Sequence, residues 1–105
     1  MNFTGNEGQF VTLEEASHWT ATFRESPNFD GVHAHFYGIN KIKDLLKQTG
    51  CVGLRIYRAI DDTNAPVLVL VGTDGEGNDL TNGLILEKGT ACPPMCGGGG
   101  NPLQG

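Results

Sequence analysis

The chain contains no apolar run near the roughly 20 residues that a membrane-spanning helix needs, so no span is expected. Its first residues, Met1 to Gln9, lack the basic and apolar regions of a signal peptide, and the expectation is a cytoplasmic protein. Basic residues are few: seven Lys and Arg stand against twelve Asp and Glu, and the net charge of −5 divides into −2 over residues 1–50 and −3 over the rest. No basic cluster offers itself to a phosphate backbone, so nucleic acid is not an expected partner. Lys41, Lys43 and Lys47 come nearest, but Asp44 sits among them and a solvated helix face accounts for the group. Also missing are a nucleophile elbow, paired catalytic carboxylates, a cofactor fingerprint and the ligand order of an EF-hand loop. Nothing here points to catalysis, which is the less favoured of the readings left open.

What is present suits one small globular domain: 105 residues, of which 38% are hydrophobic. The stretch 89–105 holds six glycines and three prolines and almost nothing to build a core, so residues 1–88 are read as the α+β domain and 89–105 as an irregular Gly/Pro/Cys tail.

Thr12 followed three residues later by Glu15 has the form of a capping box, and Leu13, Ala16, Trp19 and Phe23 share one side of the helix it opens. Ser26 and Pro27 end that helix. A second helix is expected from Asp30 and Gly31 to Gly50, because Val32, His35, Phe36, Ile39, Ile42, Leu45 and Leu46 recur at spacings of three and four. Gly38 then lies inside it at a cost of about 1 kcal/mol relative to Ala. After Gly50 the period changes to two, through Val52, Leu54, Ile56 and Ile60. Two further strands follow at Val67–Val71 and Leu80–Lys88, separated by turn-rich segments. The expected fold is α+β, with two N-terminal helices packed on one face of a three-stranded antiparallel meander.

In the middle strand Val67, Val69 and Val71 point one way while Leu68 and Leu70 point the other, the second face also being assigned Tyr57 and Ile85. Two helices cover one face only, so a second copy of the chain, a protein partner or the tail is expected on the other. The expected interface is Tyr57, Leu68, Leu70 and Ile85, with Leu103 as an apolar anchor of a docked tail. The function that follows is a non-catalytic assembly or protein-interaction module, most simply a homo-oligomer.

Cys92-Pro93-Pro94-Met95-Cys96 is the one compact group of chemically special residues, and its two thiols suit a disulfide, a metal half-site for an ion such as zinc, or a redox pair. An extended Pro-Pro segment would hold the cysteines about 12 Å apart at roughly 3.1 Å per residue. A disulfide requires Cα atoms within about 7 Å, so the segment must turn, for which a cis-proline is one route. The alternative function is accordingly a small metal-binding or thiol redox protein using Cys92 and Cys96. Cys51 reads as a small apolar residue entering a strand. On a helix His33 and His35 would not face the same way, and His18 reads as a surface residue beside Glu14 and Glu15. Asp61 with Asp62, and Asp74 with Glu76 and Asp79, read as polar turns.

The stretch Gly50-Cys51-Val52-Gly53-Leu54-Arg55-Ile56-Tyr57, the Asp61-Asp62 turn, Val67 to Val71 and the tail Cys92 to Cys96 together resemble a family of short uncharacterised bacterial proteins. The resemblance implies a recurrent domain and tail, with no activity and no catalytic residues attached to it.

Overall fold

The computed structural model describes residues 2–105. Among the described residues the chain runs through α1 (Leu13–Arg24), β1 (Ala34–Phe36), α2 (Ile39–Leu46), β2 (Cys51–Ile60), β3 (Pro66–Asp74), β4 (Ile85–Leu86) and β5 (Thr90–Cys92), in that order. They form two compact units. Of the described residues, unit 1 comprises 2–8 and 37–89, and unit 2 comprises 9–36 and 90–105. The α+β content is as expected; the arrangement is not. The two helices do not share one meander, because α1 belongs to unit 2 and only α2 packs on the three-stranded sheet β2-β3-β4.

The second helix is the largest departure. It begins at Ile39, with Gly38 outside it as an extended N-cap residue at φ −67°, ψ 146°. Residues Ala34 to Phe36, expected to be helical, form β1. The stripe Val32, His35, Phe36, Ile39 fits a helix, yet Val-His-Ala-His-Phe also fits a strand, and Gly31 turns the chain at φ +97° just before it. The deciding factor is a partner: β5, from the tail, pairs antiparallel with β1 at Ala34↔Cys92, His35↔Ala91 and Phe36↔Thr90. Part of the segment 89–105 is thus regular structure.

Within unit 1 the β2–β3 hairpin is long and regular, with one irregularity between Cys51 and Gly53. Asp61 shapes its turn, accepting hydrogen bonds from the Thr63 N–H (2.8 Å), the Thr63 hydroxyl (2.6 Å) and the Ala65 N–H (3.1 Å). These bonds hold the Asp61 carboxyl below its usual pKa, the Thr63 hydroxyl contributing most. The third strand shrinks from the expected Leu80–Lys88 to two residues, Ile85 and Leu86. Gln48, just beyond α2, is the physical reason. Its amide oxygen accepts from the Leu84 N–H (2.8 Å) and its amide nitrogen donates to the Leu45 carbonyl (2.8 Å), so a side chain stands in where ladder bonds would continue.

Register also corrects the faces. Tyr57 lies opposite Val69 and Ile85 opposite Val71, so both share the valine face and not that of Leu68 and Leu70. Gln48 approaches Gly72, where an added Cβ would meet its Nε2 at 2.9 Å, which puts the end of α2 over the leucine face. The core of unit 1 is small and sits there and in β3: Leu45, Leu70, Val71 and Thr73 are buried.

Candidate functional site

Unit 2 gathers the chain's chemically special residues. α1 begins as the sequence demands: Thr12 Oγ1 accepts from the Glu15 N–H (3.1 Å) and Glu15 Oε1 from the Thr12 N–H (3.3 Å). Beyond α1, Phe29 stacks edge-on against Phe23 (5.7 Å between centroids) and lies 6.2 Å from the His33 ring. His33 is placed by the β1–β5 ribbon, which it extends by donating its N–H to the Cys92 carbonyl (3.0 Å).

Cys92, at the end of β5, is buried, and the chain then turns back on itself. The Cys92-Pro93 and Pro93-Pro94 bonds are both cis, and the Met95 N–H reaches the Ala91 carbonyl at 3.0 Å. The Cα atoms of Cys92 and Cys96 are 4.8 Å apart and the two residues form a disulfide. An extended spacing of about 12 Å is therefore not what the prolines impose.

Across from the pair, His33 Nε2 stands 3.8 Å from Cys92 Sγ. One ligand atom from each of His33, Cys92 and Cys96 lies within 4.8 Å of the other two. Two sulfurs and an imidazole nitrogen form a soft donor set of the kind that suits zinc or copper(I). A tetrahedral ion bound at about 2.3 Å by thiolate and about 2.0 Å by imidazole requires donors roughly 3.5 to 4 Å apart, so reduction and a small separation of the sulfurs would complete a three-ligand site with one open position. The cluster could hold a metal ion in that reduced form.

The tail beyond Cys96 is tied back within unit 2. Gln104 donates to the Cys96 carbonyl (2.6 Å) and Arg24 Nη1 to the Leu103 carbonyl (2.7 Å). It is the Leu103 backbone that makes this contact. Its side chain is exposed.

Unit 1 holds the remaining candidates. Cys51 is a free thiol that donates to the Gly53 carbonyl (3.2 Å). Leu70 is buried, Leu68 half-buried, and Tyr57 and Ile85 are exposed. The Tyr57 hydroxyl donates to Asp79, which also accepts from Arg55 Nη1 (2.8 Å) and the Thr73 hydroxyl (3.1 Å). These partners, Tyr57 first, hold the Asp79 carboxyl below its usual range, and Phe3 covers the Arg55 guanidinium at 5.5 Å.

His33 is the site residue that the helical reading sets aside, because His33 and His35 do not share a helix face. The available signal was alternation: in an extended segment the residues after Gly31 are placed by strand pairing, which a helical reading removes from view. Comparison with known protein families, with curated proteins and with solved structures returns no match for this chain.

Proposed function

We propose that this protein is a small thiol-based metal-binding module, in which His33, Cys92 and Cys96 hold a soft ion of the zinc class when the cysteines are reduced. The observation that supports it is the convergence of one imidazole nitrogen and two sulfurs within 4.8 Å. The disulfide is then the metal-free, oxidised form.

Interconversion balances with a small thiol as reductant. Its thiolate attacks Cys96 Sγ, the less buried sulfur, and forms a mixed disulfide while the Cys92 thiolate leaves beside His33. A second reductant thiol then attacks the mixed disulfide at the reductant sulfur. The reductant departs as its own disulfide and Cys96 is released as thiolate. The reductant supplies two electrons, and the two protons from its thiols go to Cys92 and Cys96. Metal binding displaces those protons again.

The test is metal uptake by anaerobically reduced protein. One equivalent of zinc is expected, lost in Cys92→Ser and Cys96→Ser and weakened on the order of tenfold or more in His33→Ala. Cobalt(II) should add a thiolate-to-metal absorption band that tracks the same variants. Reduced protein that takes up no more zinc than Cys92→Ser ends this reading.

A further inference from the structure

The Cys92–Cys96 pair also suits a use that needs no metal. A bridge across a separation of four residues restrains the unfolded chain less than one that closes a long loop, so fold stability is a weak reason for it. Its two sulfurs stand in different surroundings. Cys92 is 5% exposed, and His33 Nε2 faces its sulfur at 3.8 Å. Cys96 is half-buried, with exposed residues on both sides, Pro93 to Met95 before it and Gly97 to Gly100 after it. Hydrogen bonds fix the backbone around the pair. The Met95 N–H donates to the Ala91 carbonyl (3.0 Å), the His33 N–H to the Cys92 carbonyl (3.0 Å) and the Gln104 amide to the Cys96 carbonyl (2.6 Å). An incoming thiolate therefore meets Cys96 first, and the sulfur it displaces is the one with an imidazole beside it.

We propose that the oxidised protein is a thiol–disulfide exchange site that converts a dithiol to its disulfide. One thiolate of the substrate attacks Cys96 Sγ. The Cys92–Cys96 bond breaks, and its electron pair stays on Cys92 Sγ. His33 Nε2 donates a hydrogen bond to that departing thiolate, which stabilises it as a leaving group. The second thiolate of the substrate then attacks the substrate sulfur of the mixed disulfide, closes the substrate's own disulfide and releases Cys96. The substrate loses two electrons, the protein disulfide gains them, and the two substrate protons end on Cys92 and Cys96. This activity belongs to the metal-free oxidised form, so it goes beyond zinc binding by the reduced one and does not rest on it.

The test starts from the full oxidised chain in the presence of a chelator. Dithiothreitol and a reduced peptide with two cysteines serve as the dithiols, and the one oxidised faster names the source as small molecule or peptide. Per disulfide, the protein should react on the order of tenfold faster than an oxidised peptide of residues 90–97, which has the same two cysteines without His33. His33→Phe keeps a ring beside Phe29 and removes the donor. With an unchanged melting temperature, it should slow the reaction on the order of fivefold. A labelled monothiol, quenched in acid and mapped by mass, reads the site of attack without any variant, and the label is expected on Cys96. A rate no higher than that of the peptide, a folded His33→Phe that reacts like the unaltered chain, or label on Cys92 overturns the proposal. Exchange and zinc binding can each fail alone, since one is measured on oxidised protein without metal and the other on reduced protein with it.

Discussion

Tyr37 occupies a place in the sheet that β4 leaves empty. Its hydroxyl donates to the Leu68 carbonyl at 2.7 Å, and its ring lies so close to Gly89 that a Cβ there would stand 2.5 Å from the ring carbon bearing the hydroxyl. Desolvation, then the charge of Glu87, pushes the phenol above its ordinary value. The folded protein thus keeps a proton that the unfolded chain releases near pH 10. Its contribution to stability is complete below that pH and is lost as pH rises through the folded value. Tyr37→Phe should cost about 1 kcal/mol at neutral pH by removing the hydrogen bond, and should flatten the fall in stability above pH 10. Urea titrations at pH 7 and across the alkaline range measure both, and an unchanged alkaline slope would assign the titration elsewhere. None of this is visible in the sequence, where Tyr37 precedes Gly38 with no sign of its distant partner.

Elements differ in how far local signals determine them. α1 carries its own start signal, and Thr12→Ala should cost about 1 kcal/mol, since both reciprocal bonds of the capping box depend on the threonine and on the geometry it sets. Thermal melting followed by helical circular dichroism checks this, with Thr12→Ser as the variant that restores the bonds. β2 and β3 were legible because the change from a period near four to a period of two coincides with strong turn residues at Asp61 to Ala65. The region between the helices was not. Val32 to Tyr37 satisfies both periods, and a short strand such as β1 gains its stability only from the ladder it joins. β4 was overestimated for the related reason that the Gln48 amide, distant in sequence, intercepts the Leu84 N–H.

At the scale of the whole molecule, the two units carry separate optical reporters. Trp19, the sole tryptophan, lies in unit 2, while Tyr37 and Tyr57, the only tyrosines, lie in unit 1. The Cys92–Cys96 disulfide closes a short loop in unit 2, and removing it should cost roughly 2 kcal/mol by loop-closure entropy. Reduction without added metal should therefore lower the tryptophan-reported transition more than the tyrosine-reported one, and zinc should reverse the loss. Equal shifts in both signals would mean that the units unfold as one cooperative body.

Composition, the capping box at Thr12, the hairpin of β2 and β3 and the proximity of Cys92 to Cys96 in the chain follow from the sequence by itself, because each depends on residues a few positions apart. The tertiary structure alone decided that the tail returns as β5, that β1 is a strand, and that His33 meets the cysteines. Each of these depends on a partner more than 50 residues away. Local periodicity carries no information about such a partner, and the hydrogen bonds that select strand over helix exist only once it has arrived.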